Sequence, residues 1–212
     1  MTSNPDGPVE RDELDRGAVM SALVTEHFVL QSAASSTISE SGSRASIYLA
    51  ALSSGLVAVG FSSSSSGTLA ALTFTVFPTV FILGCFTTVR LIETSIANVV
   101  AGNRIESIRR FYAELDTAAA KYFPADNTVQ LGTMGVKYGR TAVLFTTASM
   151  IAVVNSVLGA AGLAVILTLG AGLSTTAAVV IGAVFGLVVM TAFFVYQTKR
   201  FSPVRPTSSD SA

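Results

Sequence analysis

The chain has 212 residues, of which 50% are hydrophobic and 12% are charged, and its formal net charge is zero. Soluble proteins carry about 25% charged residues, so this composition favours a membrane protein. The neutral net charge gives no reason to expect nucleic acid as a partner, and one cysteine with one histidine excludes disulfides and cysteine or histidine metal clusters within one chain.

All 26 charged residues lie outside two stretches, residues 45–89 and 141–198. A spanning helix needs about 20 mostly apolar residues. Stretches of 45 and 58 residues therefore predict two spans each. The predicted fold is all-α: a polytopic membrane protein with four transmembrane helices, arranged as two hairpins with a cytoplasmic helical stalk.

The first part of the chain predicts a disordered acidic segment, a helix and a hairpin. Residues 1–16 are expected to be disordered and residues 17–44 to form a cytoplasmic amphipathic helix. The apolar stripe of that helix has a helical period: Met20, Val24, His27 or Phe28, Gln31, Ala34 and Ile38. Transmembrane hairpin 1 covers 45–89, with spans at 45–61 and 68–89 joined by the serine run 62–66 and Gly67. Pro78 predicts a kink in the second span.

Residues 90–140 predict a cytoplasmic helical stalk followed by a return loop. The helical period continues beyond the second span through Ile105, Ile108 and Leu115, and no proline interrupts it before Pro124. The second span is therefore expected to continue into the stalk, with a bend at Gly102 and Asn103, and the loop is expected to occupy 126–139. Since an apolar stripe must be covered in water, the stripe of the stalk is expected to pack on the apolar stripe of residues 20–38 or on a second subunit.

Residues 141–198 predict transmembrane hairpin 2, with spans at 141–163 and 175–197 and a connection at 170–174. A disordered tail is expected at 199–212. Basic residues favour the cytoplasmic side of a membrane, and they mark the inner ends of all four spans: Arg44, Arg90, Arg140, Lys199 and Arg200. Both termini are therefore predicted to be cytoplasmic, in a multi-pass protein of the inner membrane.

Small residues four positions apart predict close helix packing in two of the spans. Gly182 and Gly186 have this spacing in the fourth span, and Ala50, Ser54 and Ala58 repeat it in the first. Small residues on one face allow two helix backbones to approach closely. These contacts are expected either within a subunit or between subunits.

Asn155 is the candidate polar site in the membrane interior, about 14 residues into the third span. A buried amide in hydrocarbon needs a hydrogen-bonding partner. One interpretation is a contact with a pore or substrate. The other is an interhelical hydrogen bond, with Thr146 or Thr147 of a neighbouring subunit as a candidate partner.

The stalk carries a candidate basic cluster formed by Arg104, Arg109, Arg110 and Lys121. Such a cluster could bind a phosphate-bearing ligand or anionic lipid. Alternatively, Glu106 and Glu114 lie one helical turn away and pair with these arginines. No catalytic, cofactor or metal-binding motif is present in the sequence, so no enzyme activity and no cofactor are expected.

Three runs carry a resemblance to a known group: LVTEHFVLQSAASSTISESGSRASIYLAALSSGLVAVGF, NRIESIRRFYAEL and LFTTASMIAVVNSVLG. They resemble uncharacterised actinobacterial integral membrane proteins over most of residues 23–197, which implies an architecture and no activity. The layout is also similar to the SLATT and Pycsar-effector membrane proteins, which combine a helical hairpin with cytosolic helices. That likeness implies a role in nucleotide-signalled defence by membrane damage, although the second hairpin here departs from their pattern.

The function predicted from these patterns is non-enzymatic. The first hypothesis is an oligomeric effector or channel-like assembly that its cytoplasmic helices control. The alternatives are a membrane-anchored scaffold that recruits a cytosolic partner, and a small-molecule transporter. The expected partners are the lipid bilayer and further copies of the chain, and an unknown cytosolic protein in the scaffold case.

Overall fold

A computed structural model describes residues 8–115 and 146–202, with side chains from Arg16 onward except that of Ser63. The described residues form four α-helices: α1 Pro8–Phe61, α2 Ser66–Leu115, α3 Thr147–Ala171 and α4 Thr175–Phe201. A single 3-10 turn, Ser62–Ser64, joins α1 to α2. Each helix is long and apolar enough to cross a membrane. The predictions of an all-helical fold and of four apolar helices are confirmed.

Helix α1 begins earlier than the sequence predicted. It starts at Pro8 and continues without a break to Phe61, so residues 8–16 are helical and not disordered. Proline is well suited to the first turn of a helix, because its fixed φ is helical and its missing N–H would be unpaired there anyway. Residues 1–7 lie outside the described part of the chain.

Helices α1 and α2 pack along each other in antiparallel orientation over most of their length. Glu40 faces Arg90, Tyr48 faces Gly84, and Gly55 faces Val76. The α1 residues that lie inward follow a spacing of three and four residues, as in a coiled coil: Met20, Leu23, His27, Leu30, Ala34, Thr37, Ser41, Ala45, Tyr48, Leu52, Gly55 and Val59. We call the part formed by residues 20–30 of α1 and 101–112 of α2 the distal coiled coil.

The predicted stripe on α1 was only half right. Met20, Ala34 and, of the alternatives His27 and Phe28, His27 lie inward, whereas three predicted positions are exposed: Val24, Gln31 and Ile38. Leu23 and Leu30 take their place and pack against Ile105 and Ile108 of α2. Both faces of this segment carry apolar residues, so composition alone does not fix the phase of the stripe. Of the two predicted partners for the α2 stripe, this chain's own α1 covers Ile105 and Ile108.

Helix α2 remains a single helix through Pro78 and through the predicted bend at Gly102. The described helix ends at Leu115, which is 54% exposed. The predicted end of the stalk near Pro124, Lys121 of the basic cluster, the return loop and Arg140 all lie outside the described residues.

Caps define the ends of α3 and α4. The Thr146 side chain caps α3 by accepting a hydrogen bond from the Ser149 backbone N–H, and Gly172, with φ of +64°, ends it. That left-handed conformation favours glycine. The third span was predicted to end at 163, but α3 continues to Ala171. Helix α4 continues to Phe201, so residues 199–201 are helical and do not belong to a disordered tail.

The four helices pack in chain order as an open row. Helix α1 packs on α2, α2 on α3 and α3 on α4, and α1 and α4 make no contact within the described residues. In the most apolar 18-residue stretch of α3, 39% of the residues are buried, against 6% in the corresponding stretch of α1. Helix α3 is therefore the most enclosed element and α1 lies at an edge.

Because neighbouring helices run antiparallel, the described basic residues at the predicted span ends lie at one end of the row. Arg44 and Arg90 lie near each other, because both form ion pairs with Glu40. Gln197, just before Lys199 and Arg200, contacts Thr146 at the start of α3. The two turns that join the helices lie at the opposite end.

Candidate functional site: a polar contact among three helices

Asn155 joins three helices through its side-chain amide. It is fully buried, and its Oδ1 accepts a hydrogen bond from the Tyr48 hydroxyl of α1 at 3.2 Å. Its Nδ2 donates to Cys85 Sγ of α2 at 3.5 Å. The amide is therefore satisfied within one chain, by residues from both neighbouring helices.

Gly84 makes room for this contact. A Cβ at position 84 would overlap the Asn155 side chain and would come within 2.7 Å of the Tyr48 ring. Only glycine leaves the space that Asn155 occupies between α2 and α3. Gly84 and Tyr48 are therefore as much a part of the site as the amide itself.

The contact lies near the basic end of the row and not at its centre. Tyr48 follows Arg44 by four residues and Cys85 precedes Arg90 by five, which corresponds to about 6 to 8 Å along the helices. Asn155 lies only nine residues beyond the Thr146 cap of α3. The sequence predicted a deeper position because it started the third span at residue 141.

The interhelical hydrogen bond predicted for Asn155 forms, but with other partners than Thr146 or Thr147. Tyr48 and Cys85 were missed as site residues. The available signals were that Tyr48 is the one tyrosine in the first span and that Cys85 is the chain's one cysteine. The three side chains carry no formal charge, so the arrangement can fix helix positions but does not resemble an acid–base pair. The described residues contain no cluster of three or more metal-ligating side chains.

A second polar contact holds α4 to α3 near the same end. Gln197 is 1% exposed; its Oε1 accepts from Ser149 Oγ at 3.1 Å, and its Nε2 donates to Thr146 Oγ1 at 3.0 Å. Gln197 was not among the predicted site residues, because no spacing in the sequence places it beside Thr146 and Ser149.

The glycines of α4 pack within the chain. A Cβ on Gly182 would overlap the Ala160 carbonyl of α3, and one on Gly186 would lie 2.8 Å from the Ser156 carbonyl oxygen. Of the two alternatives for this pair, the close approach of α4 to α3 in the same subunit is the one seen here.

The small residues of α1 lie on another face. Ala50 and Ser54 are exposed and Ala58 is half-buried, whereas Gly55 provides the close approach to Val76 and Val80 of α2. The alternative of a contact between subunits therefore stays a prediction for Ala50, Ser54 and Ala58.

The basic cluster on α2 is partly self-paired. Arg110 Nε lies 3.3 Å from Glu106 Oε1, which is the pairing between glutamate and arginine that the alternative interpretation predicted. Arg104 is exposed and Arg109 is half-buried. Arg110 therefore already has an anionic partner on its own helix, which leaves less positive charge for a phosphate-bearing ligand.

Four charged residues form a network where α1 and α2 reach the uncharged stretches. Glu40 Oε1 lies 2.8 Å from Arg44 Nη2 and 3.5 Å from Arg90 Nε, and Arg90 Nη1 lies 3.4 Å from Glu93. The hydrogen bond from Arg44, with the charges of Arg44 and Arg90, holds the pKa of Glu40 below its usual value. Glu40 thereby links the two helices at this level.

Together these features define a class of protein: an all-helical, multi-pass membrane protein whose helices are joined by buried polar contacts near one end. No family model, curated protein or solved structure matches this chain. The resemblance to actinobacterial membrane proteins and to the SLATT and Pycsar-effector layout therefore stays a prediction.

Proposed function

We propose that this chain is a non-enzymatic protein of the inner membrane that forms two transmembrane hairpins, with both termini and a helical stalk in the cytoplasm. In this proposal it acts as an oligomeric effector or channel-like assembly. The stalk, whose residues 101–112 form the distal coiled coil with residues 20–30 of α1, controls the arrangement of the spans.

The observation that carries the proposal is the continuity of α2 from the uncharged stretch into the distal coiled coil. Helix α2 is one helix of 50 residues with no break at Arg90, and a helix of that length extends about 75 Å. A displacement of its distal end therefore moves its membrane part as well. The distal coiled coil is a mechanical extension of the first hairpin.

The Asn155 contact supports the transmission of this movement from the first hairpin to the second. Asn155 on α3 is held by Tyr48 of α1 and Cys85 of α2, close to where both helices leave the uncharged stretch. A movement of α1 against α2 changes the pocket that Asn155 occupies. Helix α3 in turn contacts α4 through Gly182 and Gly186.

The open row of helices supports assembly with other copies. Helices α1 and α4 form its two edges and do not close into a bundle in the part of the chain that the structure describes. The orientation rests on Arg44, Arg90, Lys199 and Arg200, which mark one end of the row, because basic residues favour the cytoplasmic side.

The test is the membrane potential of a bacterial host during induced expression. Ile108→Asp puts a charge into the distal coiled coil, where Ile108 is 8% exposed. Ser107→Asp puts the same charge on the neighbouring exposed position. We expect depolarisation by the unchanged chain and by the Ser107 variant, and an altered response for the Ile108 variant. Equal potentials in all three strains and in an empty host, with the protein present in the membrane, would contradict the proposal.

A membrane-anchored scaffold is the second candidate, and exposed apolar residues in the distal coiled coil favour it. Phe28 is 65% exposed and Val24 is 45% exposed, in a segment that the proposed topology places in water. In a scaffold this surface binds a cytosolic protein. Leu115→Asp and Phe28→Asp separate the two candidates: a lower mass of the purified assembly supports self-association, and an unchanged mass favours the scaffold.

A further inference from the structure

Helix α1 places large apolar side chains in its contact with α2 at both ends but not in the middle. Leu23 and Leu30 fill it in the distal coiled coil, and Tyr48 and Leu52 fill it in the uncharged stretch. Between them, α1 places no large apolar side chain inward: the partly buried residues are Ala34, Thr37, Glu40, Ser41 and Ala45. Since burial of large apolar side chains drives helix association in water, the contact is weakest here.

The same segment of α1 is a poor helix former. Residues 32–46, which we call the neck, contain seven serines and Gly42. Serine and glycine have lower helix propensities than alanine. Six of the serines are exposed. Its one large apolar residue, Ile38, is 63% exposed and contributes little packing.

Helix α2 is held firmly at the same level. Leu91 and Ile92 are 1% and 0% exposed, and they share a core with Ile151 of α3 and Phe201 of α4. The neck has no such second layer, because α1 makes no contact with α4 within the described residues and only a small one with α3. It is joined to α2 by the ion pair between Glu40 and Arg90 and by the small side chains of Ala34 and Ala45, which pack against the cores at its two ends.

We propose that the neck is a hinge built into α1. It opens locally while α2 stays helical, so that residues 20–30 of α1 can shift relative to the first span and α2 alone links the distal coiled coil continuously to the membrane part. The hinge is a property of the helix pair and does not depend on the proposed membrane activity.

The test is hydrogen–deuterium exchange of the intact chain in lipid nanodiscs, read by mass spectrometry as protection factors. We expect neck amides to exchange at least about 10-fold faster than those of residues 23–30 of α1 and 85–100 of α2, since local openings differ in free energy across a structure. Protection of the neck equal to that of both flanking regions would overturn the proposal.

A variant with four exposed serines changed to alanine tests the cause: Ser35→Ala, Ser36→Ala, Ser39→Ala and Ser43→Ala together. The summed gain in helix propensity predicts about 30-fold slower exchange in the neck, with α2 unchanged. Ser21→Ala, at an exposed position outside the neck, is the matched control and should leave neck exchange unchanged. Unaltered neck exchange in the fourfold variant would also overturn the proposal.

Discussion

The Asn155 contact makes a quantitative prediction about coupling between helices. Tyr48→Phe keeps the ring and removes the hydroxyl that donates to Asn155 Oδ1. Hydrogen bonds between membrane helices contribute about 0.6 kcal/mol on average and at most about 1.7 kcal/mol. We expect Tyr48→Phe to lower the free energy of unfolding by about 1 kcal/mol.

Asn155→Ala removes more than one interaction. It deletes the acceptor for Tyr48 and the donor to Cys85, and it leaves a cavity beside Gly84 in a fully buried position. A cavity together with an unpaired buried hydroxyl costs about 2 to 4 kcal/mol. We therefore expect a clearly larger loss from Asn155→Ala than from Tyr48→Phe.

The double variant isolates the hydrogen bond. Unfolding by a denaturing detergent in mixed micelles, followed by circular dichroism, gives the free energies of both single variants and of the pair. We expect a coupling energy of about 0.6 to 1.7 kcal/mol. Thr191→Val is the control, because Thr191 is exposed and its hydroxyl donates to the Leu187 carbonyl of its own helix. Strict additivity of Tyr48→Phe and Asn155→Ala would refute the hydrogen bond between α1 and α3.

Three further predictions concern packing, the second polar contact and charge. Gly186→Ala is expected to destabilise the fold by about 1 to 3 kcal/mol, because the new Cβ would crowd α3. Gly17→Ala should stabilise the fold by up to about 1 kcal/mol, because the space around Gly17 is open. The same detergent unfolding measures both variants. Gln197→Leu is expected to cost about 1 to 2 kcal/mol because it removes the two hydrogen bonds that join Gln197 to the hydroxyls of Ser149 and Thr146, and a melting temperature equal to that of the unchanged chain would contradict this. The lowered pKa of Glu40 means that its ion pairs stabilise the fold above the usual value of 4.5 and lose that effect as the pH falls through the depressed value. Thermal unfolding from pH 6 to pH 3 should therefore show a difference between Glu40→Gln and the unchanged chain that disappears at the acid end.

The four helices could be predicted from the sequence because a membrane span requires a long run of apolar, uncharged residues, which composition alone reveals. Two uncharged stretches of this length allow little else. The sequence did not predict the ends of α3, because hydropathy does not detect caps. The Thr146 side chain and the left-handed Gly172 set those ends, and both depend on local backbone conformation.

The site was predicted in part. An interhelical bond for Asn155 follows from its polarity alone, but its partners Tyr48 and Cys85 are 107 and 70 residues away. Which residues meet across helices depends on the register of α1 on α2 and of α2 on α3. That register is set by many apolar contacts together, and no local spacing in the sequence reports it.

Ion flux through proteoliposomes tests the central claim most directly. Purified protein is reconstituted in bilayers, and the flux of the unchanged chain is compared with that of the Ile108→Asp and Ser107→Asp variants at equal protein content. We expect a flux that changes when the charge enters the distal coiled coil at Ile108 and does not change with the exposed charge at Ser107. Identical fluxes for the unchanged chain and both variants would contradict control of the spans by the distal coiled coil.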